Sequence, residues 1–436
     1  MSRPVTIAPT LSLLILLAGC GHTAELPLAR GIGPLPQLPA PSKTLIPTVK
    51  VADAVGWPAG RAPVPAPGLS VTAFAAGLHH PRWLLALPNG DVLVAETAAP
   101  PKQPQYKDNS IKGAFMRMFM KKAGSAVPSA DRITLLRDGD GDGVAEIRTA
   151  YITGLSSPFG MALVGSSLYV ANADALISFP YDPQAPAILA PPRTVVRLPA
   201  GRNHHWTKSL AASPGGLLYV GVGSNSNVAE HGMAEEEERA AIWEIDPSTG
   251  KHRLFATGLR NPVGLDFRPG SSELYAVVNE RDELGSDLVP DYLTHVREGG
   301  FYGWPWSYFG QRVDDRVKPP RPDMVARATV PDYALGPHVA PLGLVFSDGA
   351  RLGPAYAGGA FIGQHGSWNR RPYSGYNVVF VPFANGRPSG QPIEVLSAFR
   401  VGDKAFGRPV GVEIARDGAL LVADDVGNTV WRVSAR

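Results

Sequence analysis

Two adjacent histidines, His204 and His205, stand in "GRNHHWTKSL", just ahead of an apolar run, in a chain of 436 residues with only ten histidines. A neutral imidazole can act as a base or as a metal ligand, or can be an ordinary loop residue satisfied by backbone hydrogen bonds. The stretch alone leaves all three open. Further on, Glu280, Asp282, Glu283, Asp287 and Asp291 fall within a dozen residues, just before the aromatic block "FYGWPW". Carboxylates crowded on an irregular loop suit a hard, oxygen-seeking cation such as Ca²⁺. This makes Glu280, Asp282, Asp287 and Asp291 the candidate metal ligands, with a solvated acidic loop as the alternative. A third group is basic: Arg260, Arg281, Arg370, Arg371 and Arg408. Converging on one pocket, they would suit an anionic ligand bearing several carboxylates. Singly, each would be a surface ion pair. In "DGDGDGVAE", Asp138, Asp140, Asp142 and Gly143 match the opening of an EF-hand loop, but the closing position is Thr149. A tight hairpin connection is therefore expected there rather than a structural calcium site. The run Glu235 to Glu238 reads as a solvated face.

These residues must be held by strands. A strand–turn–strand unit recurs six times, at "GLHHPRWLLALPNGDVLVAET", "GLSSPFGMALVGSSLYVANAD", "GRNHHWTKSLAASPGGLLYVGVGSN", "GLRNPVGLDFRPGSSELYAVVNE", "HVAPLGLVFSDGARL" and "FGRPVGVEIARDGALLVADDVGN". Alternating apolar positions joined at turns such as "PNGD" and "RDGA" predict hairpins. Six copies predict an all-β, six-bladed β-propeller over residues 69–436. The extreme C-terminal strand is expected to pair with an early strand near Leu69 to Phe74. The polar "HHP", "NHH", "RNP" and "GRP" segments would then surround one channel. Short helices are expected only near "MFMKKAG" and "MAEEEERAA".

The N-terminus, "MSRPVTIAPTLSLLILLAGC", has one early arginine, a short apolar run and small residues before Cys20, the only cysteine. It resembles a bacterial lipoprotein signal over residues 1–20, with lipidation at Cys20; a plain secretory signal is the alternative. The expected location is the periplasmic face of the cell envelope, lipid-anchored in the outer membrane, or secreted. Residues 21–68, rich in Pro, Ala and Gly, read as a semi-extended tether. One cysteine excludes an internal disulfide. A net charge of +3 gives no basic stripe for nucleic acid. No dinucleotide fingerprint, Walker loop, nucleophile elbow or zinc cysteine set is present.

From about Gly68 to Arg436, "NHHWTKSLAASPGGLLYVGVGSN", "GLRNPVGLDF", "NERDELGSDLVPDY", "GGFYGWPWSYFG" and "GRPVGVEIARDGALLVADD" together resemble the soluble quinoprotein glucose/sorbosone dehydrogenase family. The resemblance implies a six-bladed propeller that binds pyrroloquinoline quinone (PQQ) and Ca²⁺ and oxidises a sugar hydroxyl or hydrated aldehyde. It implies His205 as general base, with His204 beside it at a position that is acidic in the glucose enzymes. The calcium loop maps onto Glu280 to Asp291. Cofactor contacts map onto Arg408 and Arg370, with Arg260 and Arg281 near them. "GSNSN", with Asn225 and Asn227, replaces an arginine of the glucose enzymes. The implied reaction removes the hydroxyl proton to His205 and a hydride to the quinone, with Ca²⁺ as Lewis acid. The electron acceptor is unspecified, and contact with a membrane is expected through the lipid anchor only. Two further readings are a calcium-dependent lactonase-type propeller and a non-catalytic propeller binding a glycan or protein.

Overall fold

The "PNGD" turn joins Pro81–Ala86 to Val92–Glu96 as an antiparallel hairpin with Ala86 opposite Val92. Gly90 there has a φ of +100°, a conformation in which a side chain would be strained. Each of the six repeated units opens a sheet in this way in the computed structural model, which describes residues 21–42, 44 and 47–436. Cys20 and the signal-like segment lie outside the described residues.

The first sheet continues with Arg132–Arg137 and Ile147–Ile152. The second runs Met161–Val164, Ser167–Ala171, Ala175–Pro180, Arg193–Arg197. The third runs Lys208–Ala212, Leu218–Val222, Ala241–Ile245, His252–Thr257. The fourth runs Pro262–Phe267, Leu274–Val278, Pro290–His295, Tyr333–Pro337. The fifth runs Pro341–Phe346, Gly359–Gln364, Asn377–Ala384, Ile393–Ser397. The sixth is Pro409–Ile414, Leu420–Asp424 and Thr429–Ala435, with Leu69–Ala76 as its outer strand. Ala435 pairs with Leu69 and Thr429 with Ala76, so the two ends of the strand-rich region share one sheet.

The fold is all-β. The first strand of each sheet touches the first strands of its two neighbours, and the sixth touches the first. Second strands such as Leu218–Val222 and Leu274–Val278 are buried along their whole length. Their unbroken apolar runs follow from packing on both faces. One core layer joins Tyr169, Leu176, Val220 and Trp243 between the second and third sheets; another joins Tyr275, Leu293, Leu344 and Ile362 between the fourth and fifth. In this arrangement the inner strands begin, and the second strands end, at one common end of the sheets.

Parts of the segment read as a tether lie against the domain. Ile32–Gly33 pairs at the edge of the fourth sheet with Leu335 and Ala334, and Val64–Pro65 pairs at the edge of the fifth with Leu396 and Ser397. Asp53–Ala54 runs parallel to Lys404–Ala405. Prolines confine a strand to an edge but do not forbid it one, and composition alone had concealed these short pairings. The helix near "MFMKKAG" spans Ile111–Lys122, capped by the Ser110 side chain, which accepts from Gly113 N–H. The one near "MAEEEERAA" is a single 3₁₀ turn, Met233–Glu236. No helix among the described residues is long and apolar enough to cross a membrane.

Candidate active site

His205 lies at the end where the inner strands begin, just ahead of Lys208–Ala212. Its Nδ1 is 2.9 Å from the Ser224 carbonyl oxygen and 3.1 Å from the Ser224 hydroxyl. A carbonyl only accepts, so Nδ1 carries the proton and Nε2 keeps its lone pair. The Ser224 hydroxyl donates in turn to the Ser226 carbonyl, at 2.7 Å. Burial, then the Arg260 guanidinium and His204, hold the His205 imidazole well below the usual histidine range. It is therefore a neutral base at pH 7. His204, more open to solvent, meets it edge to face with ring centroids 4.6 Å apart. Surrounding protein and then Arg260 bring His204 down to about 4.

Arg260 is buried and fully engaged. It donates from Nη1 to the Glu280 carbonyl at 2.7 Å, and from Nη2 to Asn227 Oδ1 at 3.0 Å and to Asp282 Oδ2 at 3.2 Å. Asn227 Oδ1 also accepts from Asp282 N–H, at 2.9 Å. Asn227, Arg260 and Asp282 thus form one brace beside the histidines. Asn225 belongs to the loop's own framework: its N–H donates to Glu236 and its side chain to the Glu235 carbonyl.

The four carboxylates expected to cage a metal do not converge. Glu280 pairs with Arg281 at 3.1 Å in a fully buried contact. Asp291 accepts from Glu280 N–H and Ala340 N–H, and burial pushes it up to about 8. Asp287 accepts from Glu25 N–H and lies 3.7 Å from Arg370. Only Asp282 stays partly open, with Asn369 Nδ2 donating to its Oδ1 at 2.6 Å. Sequence spacing placed these groups close along the chain, but alternate residues of the loop face different partners.

Two expected cofactor arginines are structural instead. Arg281 is fully buried between Glu280, Asp314, the Pro305 carbonyl and the Ser307 carbonyl. Arg370 donates to the Ser286 and Pro372 carbonyls and pins the acidic loop. Stranding one partner of a buried ion pair costs about 3–5 kcal/mol. Arg281→Ala is therefore expected to lower unfolding stability by that amount, as read by denaturant titration.

Asp138, Asp140, Asp142 and Glu146 are the one group of carboxylates among the described residues placed to share an ion. The partner is Glu146, not residue 149. Asp138 accepts from Gly141 and Gly143 N–H, and Glu146 from Gly139 N–H. The loop thereby closes the hairpin from Arg132–Arg137 to Ile147–Ile152.

A second constellation completes the common end. Asp425, after the second strand of the sixth sheet, accepts from Arg82 Nη1 at 2.6 Å and faces His365 Nε2 at 3.0 Å. His80 Nε2 lies 3.5 Å from it. Burial alone would raise Asp425, but His365, His80 and Arg82 hold it ionised far below the usual carboxylate range. Arg408 Nη1 lies 3.4 Å from His365 Nδ1, and Nη2 donates to the Tyr376 hydroxyl at 2.9 Å. Arginine only donates, so His365 accepts at Nδ1 and gives Nε2–H to Asp425. Arg82 also lies 5.8 Å from the Trp206 ring centroid, linking this group to the histidine segment. His80, Arg82, His365 and Asp425 were not singled out from sequence. Their signal is positional: each borders the Pro that starts an inner strand or follows the end of a second strand.

The TrAA12-like family model matches residues 131–293 and 323–436, more than half of the chain. The chain belongs to the TrAA12-like family. The Arg260–Asn227–Asp282 brace and His205 lie within the first matched stretch of this TrAA12-like protein, and His365, Arg408 and Asp425 within the second. An uncharacterized protein of Borreliella burgdorferi is 33% identical over 219 residues, 50% of this chain and 56% of that one. A pyrroloquinoline quinone-dependent pyranose dehydrogenase of Coprinopsis cinerea is 26% identical over 263 residues, 50% of this chain and 35% of that one. Each match spans less than two thirds of the relative. Among solved structures, the holo PQQ domain of Coprinopsis cinerea pyranose dehydrogenase superposes with a TM-score of 0.67 at 21% identity, covering 88% of this chain and 100% of that one. The calcium structure of Trichoderma reesei family AA12 gives 0.69 at 20% identity, covering 86% and 97%. These likenesses show a shared fold.

Proposed function

We propose that this TrAA12-like protein is a six-bladed β-propeller and a PQQ-dependent oxidoreductase acting on a sugar hydroxyl or hydrated aldehyde. The observation that carries the reading is His205, a neutral imidazole with Nδ1 tied to Ser224 and Nε2 left basic, set beside the buried Arg260. Among the described residues, buried polar atoms at this end without a hydrogen-bond partner in the protein include Arg82 Nε, Arg408 Nε, Asn225 Oδ1, Asn261 Oδ1, Glu280 Oε1 and Asn369 Oδ1. Buried polar atoms normally find partners. Two cations opposed by the ionised Asp425 leave positive charge suited to a carboxylate-bearing quinone, so PQQ fits this donor set.

Arg408 and Arg82 would hold the cofactor's anionic groups. Asn261 and Asn369 would accept from substrate or cofactor donors. Bound PQQ supplies the acceptor for the hydride. His205 Nε2 takes the hydroxyl proton as the carbon–hydrogen bond breaks. The Ser224 carbonyl stabilises the imidazolium that results, because Nδ1–H already points at it. Calcium enters on the likeness to the Trichoderma reesei protein, with Asp282 the residue open to it. Asp287 and Asp291 are engaged elsewhere and Glu280 pairs with Arg281 through Oε2 alone, so no step is assigned to the ion. Their dispersal also removes the carboxylate cage on which the lactonase reading rested. We place the protein at the periplasmic face of the envelope through Cys20, on its lipoprotein-like N-terminus.

Titrating the protein with PQQ in the presence of Ca²⁺ is expected to give saturable, stoichiometric binding with a shift of the quinone absorbance. A titration with no binding would remove the proposal.

A further inference from the structure

Between Ala98 and Ala130 the chain inserts a segment into the first sheet, after Val92–Glu96. It carries six Lys or Arg and one acid, Asp108. Its helix, Ile111–Lys122, lies outside the stretches matched by the family model. Phe115, Met116, Met118 and Met120 are exposed by 56%, 36%, 53% and 47%, and Arg117 and Lys121 stand among them. Large apolar side chains held in water beside cations, with no acid on the helix, suit an interface between an anionic surface and an apolar interior.

Position narrows the occupant. The insertion follows a second strand, so it stands at the site end of the sheets. Arg202, beside the histidine pair, lies over the Tyr106 ring at 4.9 Å. Past the helix, Gly124 packs on Ala54 and Val426. The start of the described chain is at the same end: Ser286, in a loop after another second strand, donates from N–H to His22 Nδ1 at 2.9 Å. The first described residues, from Gly21 and His22, therefore lie on the face that carries the helix and the site.

We infer that the helix Ile111–Lys122 docks on an anionic lipid surface and turns the site face toward the membrane. The inference deepens the envelope reading and is tested apart from it. The neighbouring cations are drawn to the anionic leaflet, and the methionine and phenylalanine side chains enter the acyl boundary.

The test uses the full chain carrying Cys20→Ser, which removes lipidation. It is mixed with phosphatidylcholine vesicles with and without about one-third phosphatidylglycerol, a strongly anionic composition. Expected is binding to the anionic vesicles only, weakened by salt, with amide-exchange protection centred on residues 111–122. Adding Phe115→Asp and Met118→Asp should reduce the bound fraction at least about tenfold with the melting temperature unchanged. Arg117→Glu with Lys121→Glu should do the same. No binding to anionic vesicles, equal binding by the variants, or lipid-free self-association lost in the same variants would overturn the inference. Intact-mass analysis of the unmutated chain reports on acylation at Cys20 separately.

Discussion

His205→Ala is expected to lower kcat by about 10²–10⁴-fold, the span that a positioned general base contributes, with PQQ affinity nearly unchanged. The side chain hydrogen-bonds to Ser224 through Nδ1, so its loss strands one carbonyl that a water can satisfy. The pH profile gives a finer readout. The imidazole is held well below 6.5, and the base works only when unprotonated. The rate should therefore stay level as the pH falls through 6.5 and drop only on the acid side of it. An acid limb centred at or above 6.5, or unchanged turnover in the alanine variant, would take the base role away from His205.

Arg408→Ala is expected to act on binding instead. One charge-assisted hydrogen bond is worth about 1.5–3 kcal/mol, so PQQ affinity should fall about 10- to 100-fold in an absorbance titration. The fold should tolerate the change, because the Arg408 backbone N–H still donates to Asp424. The Tyr376 hydroxyl still donates to the Ser367 carbonyl at 2.7 Å. Arg281→Ala supplies the contrast, losing stability because its charge pairs with Glu280 and Asp314 inside the protein. Unchanged affinity in Arg408→Ala would remove the arginine from the cofactor site.

The strands were legible because their signal is local. Alternation and turn residues in "HHPRWLLALPNGD" and its five counterparts specify hairpins without reference to the rest of the chain, and each counterpart does open a sheet. The placement of His205 and Arg408 at one end of the sheets was legible because they precede inner strands, where chain direction sets which end they occupy. The acidic loop was misread because proximity in sequence does not fix side-chain direction. Glu280 turns to Arg281, Asp287 to the N-terminal segment and Asp291 to two backbone amides. Arg281 and Arg370 failed for a related reason: a buried arginine binding carbonyls resembles, in one dimension, an arginine waiting for an anion. Asp425 was missed because its importance comes from Arg82, His80 and His365, two of them more than 300 residues away in the chain. The edge strands of residues 21–68 escaped because two-residue pairings carry no periodicity.

The central claim is that His205 and the arginine-bearing pocket deliver a substrate hydride to bound PQQ. The direct measurement is an anaerobic single-turnover mix of PQQ- and Ca²⁺-loaded protein with a panel of aldoses and aldehydes, following the quinone absorbance. Loss of the oxidised quinone signal with at least one sugar, slowed by His205→Ala, is the expected result. An oxidised signal that persists with every aldose and aldehyde, while PQQ remains bound, would contradict it.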